Sequence, residues 1–352
     1  MTPETETTEI ILPEETVIPI PEPEPTLPTS SEAERFPVVR GLMIVGFILV
    51  ALFGSIIVPK TISYLHLAKE EAPQFVPLPE VAAVTTARDP FADIVLEAEA
   101  AYVWDITAKK PLYEKNAEKS WPLASITKLM TVLLSYELVA DDTAITISTE
   151  AAAQQSGGTL TAGEVFKAKE LADFALVSSY NSAAYTLADS VGALLGEGDS
   201  VALFVEGMNI KAEEMGLSSL KFHNPTGLDV STTKAGAYGT AREVSLMVEY
   251  ILKNYPEILI PTITPRTRVY NNAGGFHESD NTNDIITSIP NLLGSKTGYT
   301  DLAGGNLTIV FDTGFNRPVV ITVLGSTHSE RFTDMEKLIA AVLALHTSVK
   351  EN

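Results

Sequence analysis

Gly41 to Val58 (GLMIVGFILVALFGSIIV) is an uncharged run of 18 residues that separates two segments of different character. As a helix it would measure about 27 Å, close to the hydrocarbon thickness of a bilayer. Before it, residues 1–35 are rich in Pro, Glu and Thr and hold no lysine. Such a segment buries too little apolar surface to offset its ordering entropy, so it reads as a disordered acidic tail, partly polyproline II. After the run, residues 59–90 carry Pro59, Pro73, Pro77 and Pro79 with little periodicity and read as a linker. An apolar run between a tail and a linker has no core to join. A cleaved signal peptide would lie nearer the N-terminus and end in small residues, which Ile56-Ile57-Val58-Pro59 does not. The expectation is one uncleaved transmembrane helix over residues 38–58, with the membrane as its partner. Arg35 and Arg40 on one side and Lys60 and Lys69 on the other leave the orientation undecided by charge.

Residues 91–346 read as a single folded domain, and 347–352 as a short tail. Ala101–Asp105 and Pro111–Glu114 pattern as a hairpin around Ala108-Lys109-Lys110. A mostly helical middle runs from Ser125 to about Asn254. Strand-like pieces follow at Arg266–Tyr270, Asn306–Phe311 and Val319–Leu324. Phe332, Met335, Leu338, Ile339, Val342 and Leu345 recur at helical spacing and mark a closing helix. Early strands, a helical insert, later strands and a final helix predict an α/β (α+β) domain, an antiparallel sheet covered by helices.

Composition removes several function classes. A formal net charge of −21 argues against nucleic acid as a partner, because a binder needs a basic face to meet phosphate. Without cysteine there are no disulfides, no thiolate nucleophile and no Cys-ligated zinc. The five histidines show no metal-binding spacing, and G-x-S-x-G does not occur. No metal and no cofactor is expected.

Three motifs carry the chemistry: Ser125-Ile126-Thr127-Lys128, Ser179-Tyr180-Asn181 and Lys296-Thr297-Gly298. Singly they are weak, since an S-x-x-K arises by chance roughly once in a chain this long. Their order and surroundings give them weight. Leu129, Val132, Leu133 and Tyr136 line one helix face, so Ser125 opens a helix. A serine there is most often an N-cap. Lys128 gives a sharper reading, because i and i+3 share a face. A serine hydroxyl needs an adjacent base, and a lysine can be that base if burial and a nearby cation depress its pKa. Lys296 is a candidate for that cation. Ser179 is a candidate proton shuttle toward a leaving nitrogen, and Asn181 a candidate for holding Lys128 and the substrate backbone. Lys296-Thr297-Gly298 at a strand edge would let an acyl peptide lie alongside, with Gly298 permitting close approach. Lys296 and Thr297 would meet a substrate carboxylate, and the N–H groups of Ser125 and Tyr299 would form an oxyanion hole.

The set resembles that of the D-alanyl-D-alanine carboxypeptidases, low-molecular-mass penicillin-binding proteins of the serine β-lactamase/transpeptidase superfamily. The likeness covers about residues 92–346. It extends to Ala124-Ser125-Ile126-Thr127-Lys128-Leu129-Met130-Thr131, Asn224-Pro225-Thr226-Gly227-Leu228-Asp229, Asn281-Thr282-Asn283 and Gly294-Ser295-Lys296-Thr297-Gly298-Tyr299-Thr300. Arg331 falls near the family's substrate-carboxylate arginine. The resemblance implies a transpeptidase-like sheet flanked by helices with a helical subdomain. It implies an acyl-Ser125 intermediate, peptidoglycan stem peptides as substrate and β-lactams as covalent inhibitors. A wall substrate in turn implies a catalytic domain outside the bacterial cytoplasmic membrane. A D,D-endopeptidase acting on cross-links and a slow-deacylating penicillin-binding sensor or scaffold are the alternatives. A class A β-lactamase is disfavoured, because no E-x-x-L-N occurs between Asn181 and Lys296. Two features depart from the resemblance. The anchor is N-terminal, where many members carry a second β-rich domain and a C-terminal amphipathic anchor. The middle residue of S-x-N is Tyr180, where glycine is common, which bears on the pocket rim and on substrate choice.

Overall fold

The computed structural model describes residues 88–154 and 160–348. The expected tail over residues 1–35, the expected span over 38–58 and nearly all of the linker lie outside them. Among the described residues no helix is long and apolar enough to cross a membrane.

The domain opens on the predicted hairpin, β1 (Ala100–Asp105) and β2 (Lys110–Lys115). Asp105 shapes its turn by accepting the N–H groups of Thr107 and Ala108 at 2.9 and 2.8 Å. A two-residue strand β3 (Trp121–Pro122) leads into a 3-10 turn at Ala124–Thr127 and then α1 (Lys128–Leu138). The middle of the domain contains β4 (Ala144–Thr146), the single turn α2 (Thr149–Ala152) and β5 (Val165–Lys167). Next come α3 (Ala168–Val177), α4 (Asn181–Gly192) and α5 (Ser200–Glu214). Asp199 caps α5 by accepting the Ala202 N–H. β6 (Lys221–Phe222) and β7 (Ala237–Gly239) join β3 in a small sheet before α6 (Ala241–Asn254), which Thr240 caps. β4–β5 and β6–β7 interrupt the helical middle predicted from periodicity. Strands of two or three residues are too short to leave a period-2 signature.

A second hairpin, β8 (Arg266–Tyr270) and β9 (Phe276–Asp280), precedes three long strands: β10 (Leu292–Thr300), β11 (Gly304–Asp312) and β12 (Pro318–Ser326). The chain finishes its described part in α7 (Glu330–Ser348), two residues beyond the predicted domain end at 346. The main sheet has the order β10-β11-β12-β1-β2 with every pair antiparallel. It is the antiparallel, helix-flanked sheet that the order of elements predicted.

Alternation along the strands sends apolar side chains to both faces. Ala101, Val103, Ile309, Ile321 and Val323 pack with Phe332, Met335, Leu338 and Val342 of α7. Ala100, Tyr102, Val310, Val320 and Leu324 point the other way, toward Val244, Met247 and Ile251 of α6. The same second core continues into the helical subdomain through Leu129, Leu133, Phe174, Leu187, Phe204 and Met208. β10 stays at one edge of the sheet, and the 3-10 turn that carries Ser125 packs against it.

Candidate active site

Ser125 owes its position to strain and close packing. Ala124, just before it, is fully buried with φ 47, a left-handed backbone that costs free energy for any residue with a Cβ. Two glycines make room for that conformation. A Cβ on Gly227 (φ +80) would lie 1.9 Å from the Ala124 carbonyl oxygen. A Cβ on Gly298 would lie 2.9 Å from the Leu123 carbonyl oxygen and 3.1 Å from Ser125 N. Ser125 caps neither the 3-10 turn nor α1. Its hydroxyl instead meets Lys128 Nζ at 2.8 Å.

Lys128 is fully buried at the start of α1. Its Nζ also donates to Asn181 Oδ1 at 2.7 Å and to the Thr226 carbonyl at 2.8 Å. Burial, reinforced by the nearby Lys296, pushes its pKa well below the ordinary 10.5. Asn181 is itself buried at the first turn of α4. Thr226 sits in a turn organised by Asn224, whose Oδ1 accepts the N–H groups of Thr226 and Gly227.

The third motif lies on edge strand β10. Lys296 is buried, and its Nζ donates to Ser179 Oγ and to the Thr297 carbonyl, both at 2.9 Å. Burial and then the Arg331 cation lower its pKa from 10.5 to about 7. Thr297 shares a hydrogen bond with the Thr282 hydroxyl. Tyr299 is half-exposed and meets His328 edge-on, with ring centroids 4.9 Å apart. Arg331, in the first turn of α7, donates from Nη1 to the Gly298 carbonyl at 3.0 Å, and its pKa is held down by burial. Its Nε is buried with no hydrogen-bond partner among the described residues.

These elements enclose an open cleft of about 430 Å³. Ser125, Ser179, Asn181, Thr297, Gly298, Tyr299 and Arg331 all face it. Lys128 and Lys296 do not; they stand directly behind Ser125 and Ser179, reached through those hydroxyls. Lys296 is therefore not an open carboxylate donor; it reaches the cleft only through the Ser179 hydroxyl. The cleft also presents Thr282, Asp284 and His328, and Thr226 supplies a carbonyl behind it, none of which the motifs singled out. Asn281-Thr282-Asn283 and Asn224–Asp229 marked the neighbourhoods of the first two and of Thr226; nothing in the sequence marked His328. Tyr180 is not at the rim. Its ring stacks on Phe174 of α3, with centroids 4.9 Å apart and planes 21° off parallel, because the apolar flank of α3 offers burial that the cleft does not.

The arrangement is a hydroxyl backed by a buried, low-pKa lysine, a second hydroxyl backed by another, and an arginine at the cleft. Over residues 83–328 the chain matches the D-alanyl-D-alanine carboxypeptidase family, and it belongs to that family. D-alanyl-D-alanine carboxypeptidase DacF of Bacillus subtilis is 32% identical over 254 residues, which are 70% of this chain and 62% of that protein. The chain thus spans less than two thirds of that relative. A D-alanyl-D-alanine endopeptidase of Pseudomonas aeruginosa is 32% identical over 263 residues, 71% of this chain and 79% of the relative. Among solved structures, penicillin-binding protein D2 of Listeria monocytogenes, in its ampicillin-bound form, is 31% identical. It superposes with a TM-score of 0.58, covering 71% of this chain and 98% of its own.

Proposed function

We propose that the chain is a serine D,D-peptidase that releases the terminal D-Ala of peptidoglycan stem peptides through an acyl-Ser125 intermediate. The observation that carries this reading is the set of three contacts around Lys128 Nζ. Asn181 Oδ1 and the Thr226 carbonyl can only accept, so they take both N–H bonds of a neutral amine. The lone pair that remains faces Ser125 Oγ at 2.8 Å, and burial beside Lys296 favours the neutral form this requires.

In this reading Ser125 Oγ attacks the carbonyl carbon between the two D-Ala residues and its proton passes to Lys128 Nζ. The N–H groups of Ser125 and Tyr299 hold the developing oxyanion. The C–N bond then breaks, and Ser179, backed by Lys296, passes a proton to the leaving nitrogen. Water cleaves the acyl-Ser125 ester by the reverse route. The Thr297 hydroxyl and the Arg331 guanidinium hold the substrate's free carboxylate, for which a planar cationic fork is well suited. β-Lactams would acylate Ser125 by the same attack. The run at 38–58 would tether the domain to the outer face of the cytoplasmic membrane, where this substrate lies.

Cleavage of D,D cross-links is the second reading. It is supported by the relatives, among which is the endopeptidase matched over 79% of its length. One experiment addresses both. The protein is incubated with a D-Ala-D-Ala pentapeptide and, separately, with cross-linked dimeric muropeptides. Release of D-Ala at a rate well above dimer cleavage is the expected result; dimer cleavage alone would reverse the order of the readings. Ser125→Ala should abolish the penicilloyl adduct seen by mass spectrometry while leaving the fold intact. An adduct persisting on that variant would remove Ser125 from the role.

A further inference from the structure

Ser179 sits where its backbone is least comfortable. Its φ is 61, in the left-handed region, and it has no glycine's freedom there. Such a residue persists only where its neighbours over-determine it. Both neighbours do so. On the N-terminal side the Ser178 hydroxyl donates to the Asp280 carbonyl at 2.8 Å and pairs with the Ser279 hydroxyl at 2.7 Å, tying the turn to β9. The Thr282 N–H adds a bond to the Val177 carbonyl at 3.2 Å. On the C-terminal side the Tyr180 ring lies flat on Phe174, and the Tyr180 N–H reaches the Phe174 carbonyl at 3.3 Å. Phe174 is itself immobilised, fully buried and in edge contact with Phe166 and His277. Tyr180 thus spans the one residue between Ser179, whose hydroxyl meets Lys296, and Asn181, whose amide meets Lys128.

We propose that Tyr180 is a positioning residue: its ring, stacked on Phe174, holds the turn so that the Ser179 hydroxyl stays against Lys296 while Asn181 stays against Lys128. A residue without a ring at 180 leaves the turn held by the Ser178 hydroxyl and by the two backbone bonds at Val177 and Phe174, with no side chain fixing its C-terminal half. The left-handed Ser179 can then relax toward negative φ, which swings its hydroxyl away from Lys296 and out of line with a leaving nitrogen. The ring does this through packing and not through its hydroxyl. Phenylalanine should therefore substitute for it, and glycine or leucine should not.

This rests on the acyl-Ser125 reading, and the test separates the two. The second-order rate of acylation by labelled penicillin is measured on the full chain, well below the unfolding temperature of each variant. Tyr180→Phe should stay within about twofold of the wild type, whereas Tyr180→Gly should slow acylation roughly ten- to a hundredfold, the range for a misplaced proton-transfer group. The decisive comparison repeats Tyr180→Gly in a Ser179→Ala background. If Tyr180 acts through Ser179, the second substitution adds less than about twofold there. Phe174→Leu, which removes the platform and keeps an apolar side chain, carries the same comparison if the glycine variant does not fold. Wild-type rates in Tyr180→Gly, or an equal loss with and without Ser179, would overturn the role. A wild-type protein that takes up no penicillin would overturn the acyl-Ser125 function itself, and this role with it.

Discussion

Burying Lys296 against Arg331 and next to Lys128 is unfavourable for folding, and the pKa of Lys296 records it. An unfolded lysine titrates near 10.5 and the folded one at about 7. Between those values the unfolded chain holds a proton that the folded protein has released, so unfolding takes one up and stability rises with pH across that window. Below about pH 7 the penalty is complete and constant. Lys296→Met, which keeps the apolar stem, should therefore be more stable than the wild type at neutral pH. The gap should reach at most about 5 kcal/mol and close as pH approaches 10. Urea midpoints of both proteins between pH 6 and 10 check it; a gap that does not change with pH would mean that the cost of Lys296 is steric. The same burial favours the proposed chemistry, because desolvation, reinforced by charge on Lys296, pushes Lys128 toward its neutral form. At this scale the sequence was informative. Spacing alone put Ser125 and Lys128 on one face. The other two partners of Lys128, Asn181 and the Thr226 carbonyl, lie 53 and 98 residues away, and no local pattern can specify such distances.

Between elements, the site depends on how closely three backbones approach. The 3-10 turn at 124–127 is wedged between the turn at 224–228 and strand β10, and both contacts run through glycine. Gly227 is the less replaceable, having both a positive φ and no space for a Cβ. Gly227→Ala should push Ala124 and Ser125 out of line. It should cost about 2–4 kcal/mol of stability, the scale of combined strain and overpacking, and slow acylation more than tenfold. Gly163, with φ +89 and nothing within 4 Å of its Cβ position, supplies the control. Gly163→Ala has strain without a clash and should leave acylation unchanged. Denaturation midpoints and penicillin labelling of the two variants decide the matter, and equal acylation in both would show that close approach at 227 is unimportant. Patterning made β11, β12 and the closing helix legible, whereas β10 was anticipated only as a strand edge for Lys296-Thr297-Gly298. It was silent on β3, β6 and β7, which are held in place by their partners and not by their own patterning. Tyr180, the departure from the resemblance expected to bear on the pocket rim, stacks its ring on Phe174 of α3 instead.

On the scale of the whole molecule, an acidic chain of net charge −21 presents Arg331 to one cleft, with Lys296 buried behind it, where sheet edge meets helical subdomain. A substrate with a free carboxylate, as proposed, would be attracted there and repelled by the acidic remainder. If the substrate is the cell wall, the domain must lie outside the cytoplasmic membrane with residues 1–35 inside. Protease added to spheroplasts should then degrade the domain and spare an N-terminal tag; the opposite pattern would separate the chemistry from its substrate. By itself the sequence determined the chemical inventory: no thiol, a strongly acidic balance, the S-x-x-K, S-x-N and K-T-G motifs and a long uncharged run. It also determined the alternation that sends apolar side chains to both faces of the sheet. These are local properties, carried by residue type and short-range spacing. Only the tertiary structure decided that Lys296 stands behind the Ser179 hydroxyl. It also decided that β10 is the edge left free to meet the Ser125 turn, and that Lys296 is buried behind the cleft rather than open in it. Those outcomes follow from contacts across one hundred residues or more, where the burial of two cores sets the geometry and the motifs are carried to wherever the packing leaves them.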